Sequence, residues 1–114
     1  MANYRRAKVP IGKPMFLAAL ETAKTATTPP QVVEVYSTPT IHLLARLCRE
    51  LQRLWGDEPF PLSCRHVAPF LGVTFQTANK WLRGLEGCGF IKTVVKGSEG
   101  AKRASQFRYL LPLV

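Results

Sequence analysis

The segment 72–86, GVTFQTANKWLRGLE, sets a glycine and then a threonine in front of a stretch with helical periodicity. Ala78, Trp81, Leu82 and Leu85 recur at spacings of three and four, the pattern of a face held to a core. Thr74 is placed to cap the helix, since a threonine hydroxyl can accept from the first free amides. Gln76, Thr77, Asn79, Lys80 and Arg83 fall on the outer face, and no acid occurs before Glu86. A surface helix with amides, a hydroxyl and cations on one side is suited to an anionic partner.

Upstream, Ser63 caps a second predicted helix, CRHVAPFL, which Gly72 ends. Pro69 conflicts locally with that helix, because it cannot donate to the Arg65 carbonyl and should kink or tighten the last turn. The run STPTIHLLARLCRELQRLWG predicts a longer helix, with Thr38 as N-cap, Pro39 at the first position and Gly56 in the left-handed conformation past its end. Ile41, Leu44, Leu47, Cys48, Leu51, Leu54 and Trp55 form its apolar stripe, and His42, Arg46, Arg49, Glu50 and Arg53 face elsewhere. The Arg46, Arg49 and Arg53 edge is either a solvated face or a ridge for phosphate or a partner. Between these helices, GDEPFPLS reads as a turn and a short extended piece, with Pro61 allowed only on an edge strand. Downstream, strands over 90–96 and 105–111 alternate apolar and polar residues around a glycine-bounded loop, which predicts a hairpin.

Helix, short strand, helix, turn, helix and hairpin, in that order, resembles the winged helix-turn-helix family over roughly residues 38–111. The likeness is carried by Ala68 and Gly72 at the turn, and by Val67, Leu71, Val73, Ala78 and Trp81 in one register. It implies an α+β, mainly α fold: a three-helix core with a short strand and a C-terminal β-hairpin wing. It further implies that helix 74–87 enters the major groove of duplex DNA, where amides pair with adenine, cations with guanine and hydroxyls with either. The expected DNA-binding residues are Thr74, Gln76, Thr77, Asn79, Lys80 and Arg83. Arg65, with the N-terminal amides of its own helix, would clamp a phosphate. Lys96, Lys102 and Arg103 would bring the wing to the backbone or the minor groove, with Glu99 diluting the charge at its tip. Phe75 either touches a thymine methyl or packs under the turn, and packing is the preferred reading.

A finer likeness covers the stretch from EPFPLS to RYL. It is similar to winged-helix segments at the ends of primase and replication proteins of phages and mobile elements, from which Pro69 and Cys88 depart. The resemblance implies a transcription regulator or replication accessory. The alternative is a protein-interaction module docking onto a replication protein such as a primase or helicase. A homodimer is left open.

Composition sets the outer bounds. A chain of 114 residues, 46 % of them hydrophobic, has material for one core. The formal charge of +9, all from Lys and Arg, points to nucleic acid first and an anionic membrane second. Cys48, Cys64 and Cys88 form no C-x-x-C pair and are read as small buried hydrophobes in a reduced, cytoplasmic protein. His42 and His66 stand apart from any acid or cysteine cluster, so no metal, cofactor or enzymatic site is expected. MFLAALETAK is broken by Glu21 and Lys24, which argues against a signal peptide, and no run approaches the roughly 18 apolar residues of a spanning helix.

Residues 1–30 are expected to be a flexible basic arm and linker, with MFLAALETA making at most a short amphipathic turn or two and the Pro29-Pro30 pair as linker chemistry. Residues 31–114 are expected to be the folded domain, entered through a strand-like QVVEVY. Arg5, Arg6, Lys8 and Lys13 would then follow phosphates without reading sequence. Comparing full-length with 31–114 protein across a salt series should show the log–log salt dependence of DNA affinity flattened by about two to four units. Equal slopes would make the arm irrelevant to DNA.

Overall fold

The computed structural model describes residues 13–95 and 105–112. In chain order they form α1 (Lys13–Thr25), α2 (Pro30–Val35), α3 (Pro39–Trp55), β1 (Phe60–Leu62), α4 (Cys64–Leu71), α5 (Phe75–Gly87), β2 (Ile91–Val95) and β3 (Ser105–Tyr109). The fold is α+β and mainly helical, with a three-stranded antiparallel sheet ordered β1-β3-β2.

α3 packs against α1, α2, β1 and β3. Pro39 starts it at a position where no amide hydrogen is needed, and Thr38 precedes it in extended conformation without a side-chain cap bond. Of the predicted stripe, all but Leu54 are buried, and Leu54 is 40 % exposed at its margin. The predicted outward set is corrected at two positions, because Arg49 and Glu50 are only 8 % and 6 % exposed. A single apolar stripe implies a helix covered from one side. Covered from several, α3 also encloses its charged flank, which becomes an ion-paired group: Arg49 Nε and Arg53 Nη1 both meet Glu50 Oε2, at 3.2 and 3.0 Å. Gly56 has the expected positive φ of 65°, but its ψ of −123° lies outside the left-handed helical region.

The expected 1–30 arm is corrected over 13–25. Those residues are helical, and Phe16, Ala19, Leu20 and Ala23 are buried at spacings of three and four. Glu21 and Lys24, which interrupt the apolar run in sequence, lie outside and pair with each other at 3.1 Å. Phe16 meets the His66 ring of α4 edge-on at 4.6 Å and lies 5.1 Å from Phe70. The core thus begins with α1, and a cut at residue 31 would remove part of it. The arm's contribution to binding is therefore tested by deleting residues 1–12, which lie outside the described residues along with Arg5, Arg6 and Lys8.

QVVEVY is also corrected, from extended lead-in to the helix α2. Pro30 is fixed at the first helical position, the amides of Val32 and Val33 donate to the Pro29 carbonyl, and only Val32 is buried. Valine's preference for strands is overridden here, where Pro30 fixes the first helical turn and the amides of Val32 and Val33 bond back to Pro29.

Pro61 sits on the edge strand β1, opposite Gln106 of β3, where its missing amide hydrogen costs no ladder bond. β3 is the central strand, with a bulge in β2 between Thr93 and Val95. In α4, Pro69 occupies the last turn, which closes tightly: the Gly72 amide donates to the Pro69 carbonyl at 3.3 Å. Gly72 has φ 72° and ψ 29°, a left-handed conformation that suits glycine.

Helices and sheet are joined by one buried side chain, Gln52, which is 3 % exposed. Its Nε2 donates to the carbonyls of Gly56 and Glu58 at 2.7 Å each, and its Oε1 accepts from the Tyr109 amide at 2.9 Å. Gln52→Leu should destabilise the protein by about 2–4 kcal/mol, since each buried polar group left unpaired costs roughly 1–3 kcal/mol. Urea unfolding with an unchanged slope and a lower midpoint is the expected result. An unchanged midpoint would mean that water replaces the amide without penalty.

Candidate nucleic-acid interface

α4 and α5 are joined by the turn at Gly72–Thr74, and Ala68 is buried where α4 meets its neighbours. α5 starts on Thr74, whose Oγ1 accepts from the Thr77 amide at 3.2 Å and donates to the Thr77 hydroxyl at 3.1 Å. These two expected site residues are first of all the cap. Ala78, Leu82 and Leu85 are buried, and Gln76, Asn79, Lys80 and Arg83 are exposed together on the far side. Trp81, expected in the core-facing set, is only half-buried at the margin. Leu82 and Leu85 point squarely inward, and Trp81, one position earlier, is turned about 100° away from Leu82.

Arg65 lies over the Phe75 ring at 4.0 Å, bringing the starts of α4 and α5 together. Phe75 packs there, half-buried, in line with the preferred reading. A guanidinium stacked on a ring face is held by the ring quadrupole. Beside it, the Cys64 thiol lies 3.8 Å from Asn79 Oδ1. Burial pushes that thiol up, and the nearby Arg83 charge pulls it the other way. Arg65, Asn79 and Arg83 therefore share one region, with Gln76 and Lys80 on the same helix face.

The one acid of α5, Glu86, is drawn toward the sheet. Its Oε2 accepts from the Thr93 amide at 3.1 Å and its Oε1 from the Thr93 hydroxyl at 3.0 Å. An edge-strand amide is satisfied and a carboxylate is tied down by the same pair of bonds. Lys92, which alternation alone marks as outward, is exposed on β2. Arg108, opposite Lys92, donates to the Asp57 carbonyl at 2.7 Å. Lys96, Lys102 and Arg103 lie outside the described residues.

The Arg46, Arg49 and Arg53 edge is not a free ridge. Arg46 donates to the Ala26 carbonyl and the Thr28 hydroxyl at 3.1 and 3.2 Å, while Arg49 and Arg53 pair with Glu50. The cysteines are also partly corrected: Cys48 is fully buried with its thiol pushed up to about 12, Cys64 is intermediate and Cys88 exposed. Among the described residues no group of three or more His, Cys, Asp or Glu is placed to hold a metal, and no helix is long and apolar enough to cross a membrane. No protein-family model, curated protein or solved structure matches this chain.

Gly84 leaves room for the Tyr36 side chain against α5. A Cβ there would lie 2.5 Å from the Tyr36 hydroxyl oxygen and 3.7 Å from Tyr36 Cζ. Gly84→Ala should therefore destabilise the native protein or displace Tyr36, despite the roughly 1 kcal/mol that alanine gains over glycine in a helix. With Tyr36→Phe the oxygen is gone, and the same Gly84→Ala change should become neutral or stabilising. Thermal unfolding of the two singles and the double checks the sign reversal, and additive effects would show that the two side chains do not meet.

Proposed function

We propose that the chain is a winged helix-turn-helix protein that binds duplex DNA, with α5 in the major groove and the β2–β3 hairpin as its wing. The observation that carries this reading is the outer face of α5. Gln76, Asn79, Lys80 and Arg83 are exposed together, and the single acid of the helix is bonded to Thr93. Amides suit adenine and cations suit guanine in the major groove, whereas a free carboxylate there would repel phosphates. Arg65, braced on Phe75 beside the start of α5, is positioned in this reading to meet a backbone phosphate. Thr74 and Thr77 contribute through the cap that fixes the helix start. Lys96, Lys102 and Arg103 would add wing contacts. The role is that of a transcription regulator or a replication accessory of a phage or mobile element.

A second reading, a module docking onto a primase or helicase, is favoured by Val33 and Val35, both of which α2 leaves about half exposed. The two readings separate in a mobility-shift assay on duplex, forked and single-stranded DNA across a salt series. Lys80→Ala and Arg83→Ala should each weaken duplex binding by about 1–3 kcal/mol if they carry base contacts, and relax preference at one position. Both should leave the melting temperature unchanged, because the helix is held by its opposite face. Unchanged duplex affinity in both variants would remove the recognition role of α5. Affinity for a primase or helicase without duplex binding would replace this reading by the second.

A further inference from the structure

One face of the sheet turns to the core and the other to solvent. Phe60, Leu62, Ile91, Phe107 and Tyr109 are buried on the inner side. The residues that alternate with them, Pro61, Lys92, Gln106 and Arg108, are exposed or half-buried, as the pleat of a strand requires. Leu110, two positions beyond Arg108, is 47 % exposed, and Val94 and Val95, at the bulge of β2, are 43 % and 41 % exposed.

At the centre of the outer face two cations stand directly opposite each other, because Lys92 of β2 is paired with Arg108 of β3. Like charges in that position destabilise a strand pair. Among the described residues neither side chain forms an ion pair, and the Arg108 guanidinium donates to a main-chain carbonyl, that of Asp57, which offsets no charge. Aliphatic side chains flank the cations along the strands: Leu110 lies two residues past Arg108 in one direction, and Val94 two residues past Lys92 in the other. Two strand residues span roughly 7 Å.

We infer that the outer face of the sheet docks an acidic segment of a partner protein, with a carboxylate between Lys92 and Arg108 and an aliphatic side chain on each flank. The charge fixes the class of partner. A second copy of this chain would set the same cations against each other, and a phosphate backbone would answer the charge but leave the aliphatic flanks uncovered. A peptide answers both. An extended segment with an acid at one position and apolar residues two before and two after it matches the spacing of the face. It lies across the face and does not extend the sheet at β2, because the outward Thr93 amide already donates to Glu86. The site uses none of the residues of the α5 face and does not rest on the DNA-binding reading.

The probe is the end-blocked peptide Gly-Leu-Asp-Glu-Asp-Leu-Gly, titrated into isotope-labelled full-length protein while amide shifts are followed by NMR. The control is Gly-Asp-Leu-Leu-Glu-Asp-Gly, which has the same composition and charge but adjacent leucines. The amides of Lys92, Val94, Arg108 and Leu110 should shift saturably, and the control should bind several-fold more weakly. Lys92→Glu should weaken binding by about tenfold or more, the worth of hydrogen bonds to a charged group. The same substitution should raise the melting temperature, since it sets opposite charges across the strand pair. A gain in stability with a loss of affinity separates docking from folding. Leu110→Ser should also weaken binding, whereas Lys24→Glu on α1, the same change in net charge elsewhere, should leave it unchanged. The proposal is overturned by shifts confined to other residues, by equal affinity for the control peptide, by undiminished affinity in Lys92→Glu, or by an equal loss in Lys24→Glu. Shifts of these amides with a random-sequence duplex but not with the peptide would give the face to nucleic acid and overturn it as well.

Discussion

The carboxamide of Gln52 is the joint between helices and sheet. A helix ends with carbonyls that have lost their intrahelical partners, and the chain leaving α3 turns sharply at Gly56 toward β1. Gln52 donates to two carbonyls of that turn, using both of its amide hydrogens, and accepts the amide of Tyr109 with its oxygen. The turn delivers Phe60 to its place opposite Phe107, so β3 is held at two points, by its ladder with β1 and by α3 itself. Because β3 is the central strand, β2 inherits that position. A buried amide satisfied in this way is worth more for the geometry it specifies than for its net energy, since every alternative leaves a polar group dry.

The same chain of constraint reaches the exposed helix. β2 begins four residues after α5 ends, and the Phe90 amide donates to Leu85 while the Phe90 carbonyl accepts from Leu110. Glu86 adds its carboxylate to the Thr93 backbone. α5 is therefore fixed at its C-terminal end by the sheet, at its start by the Thr74 cap, and in between by Tyr36, which needs the missing side chain of Gly84. Tyr36 is positioned in turn by its carbonyl, which His42 of α3 bonds. A helix meant to present a fixed row of side chains benefits from such supports, because its outer face contributes nothing to its own stability.

Elements marked by strong punctuation were legible in sequence. α3, with proline at its start and glycine at its end, and the α4–α5 pair, with Gly72 and Thr74 between them, carry their own boundary signals. α1 was misread because its buried face is Phe16, Ala19, Leu20 and Ala23. Two alanines give little hydrophobic contrast, and the stripe shows only when Glu21 and Lys24 are placed on the far side of a helix. α2 was misread because valine-rich runs favour strands only when a neighbour can pair with them. On the site, the outer face of α5 followed from periodicity. The Arg65–Phe75 stack and the Glu86–Thr93 bonds link residues seven to ten positions apart across a turn or a helix end, and no spacing rule announces them.

The acids explain how a chain with a formal charge of +9 keeps one face positive. Glu50 is enclosed with two arginines, Glu86 is bonded to a strand and Glu21 to its own helix neighbour. Each of these carboxylates is held by a partner within the fold, so none of them is offered to a neighbouring cation on α5. The cations then divide into two physical kinds. Those of α5 are exposed and interact through water, where a Debye length of about 8 Å at physiological salt screens them from all but close partners. Arg49 is instead enclosed with Glu50, where screening is weaker and the geometry of the guanidinium–carboxylate pair sets what the charge contributes.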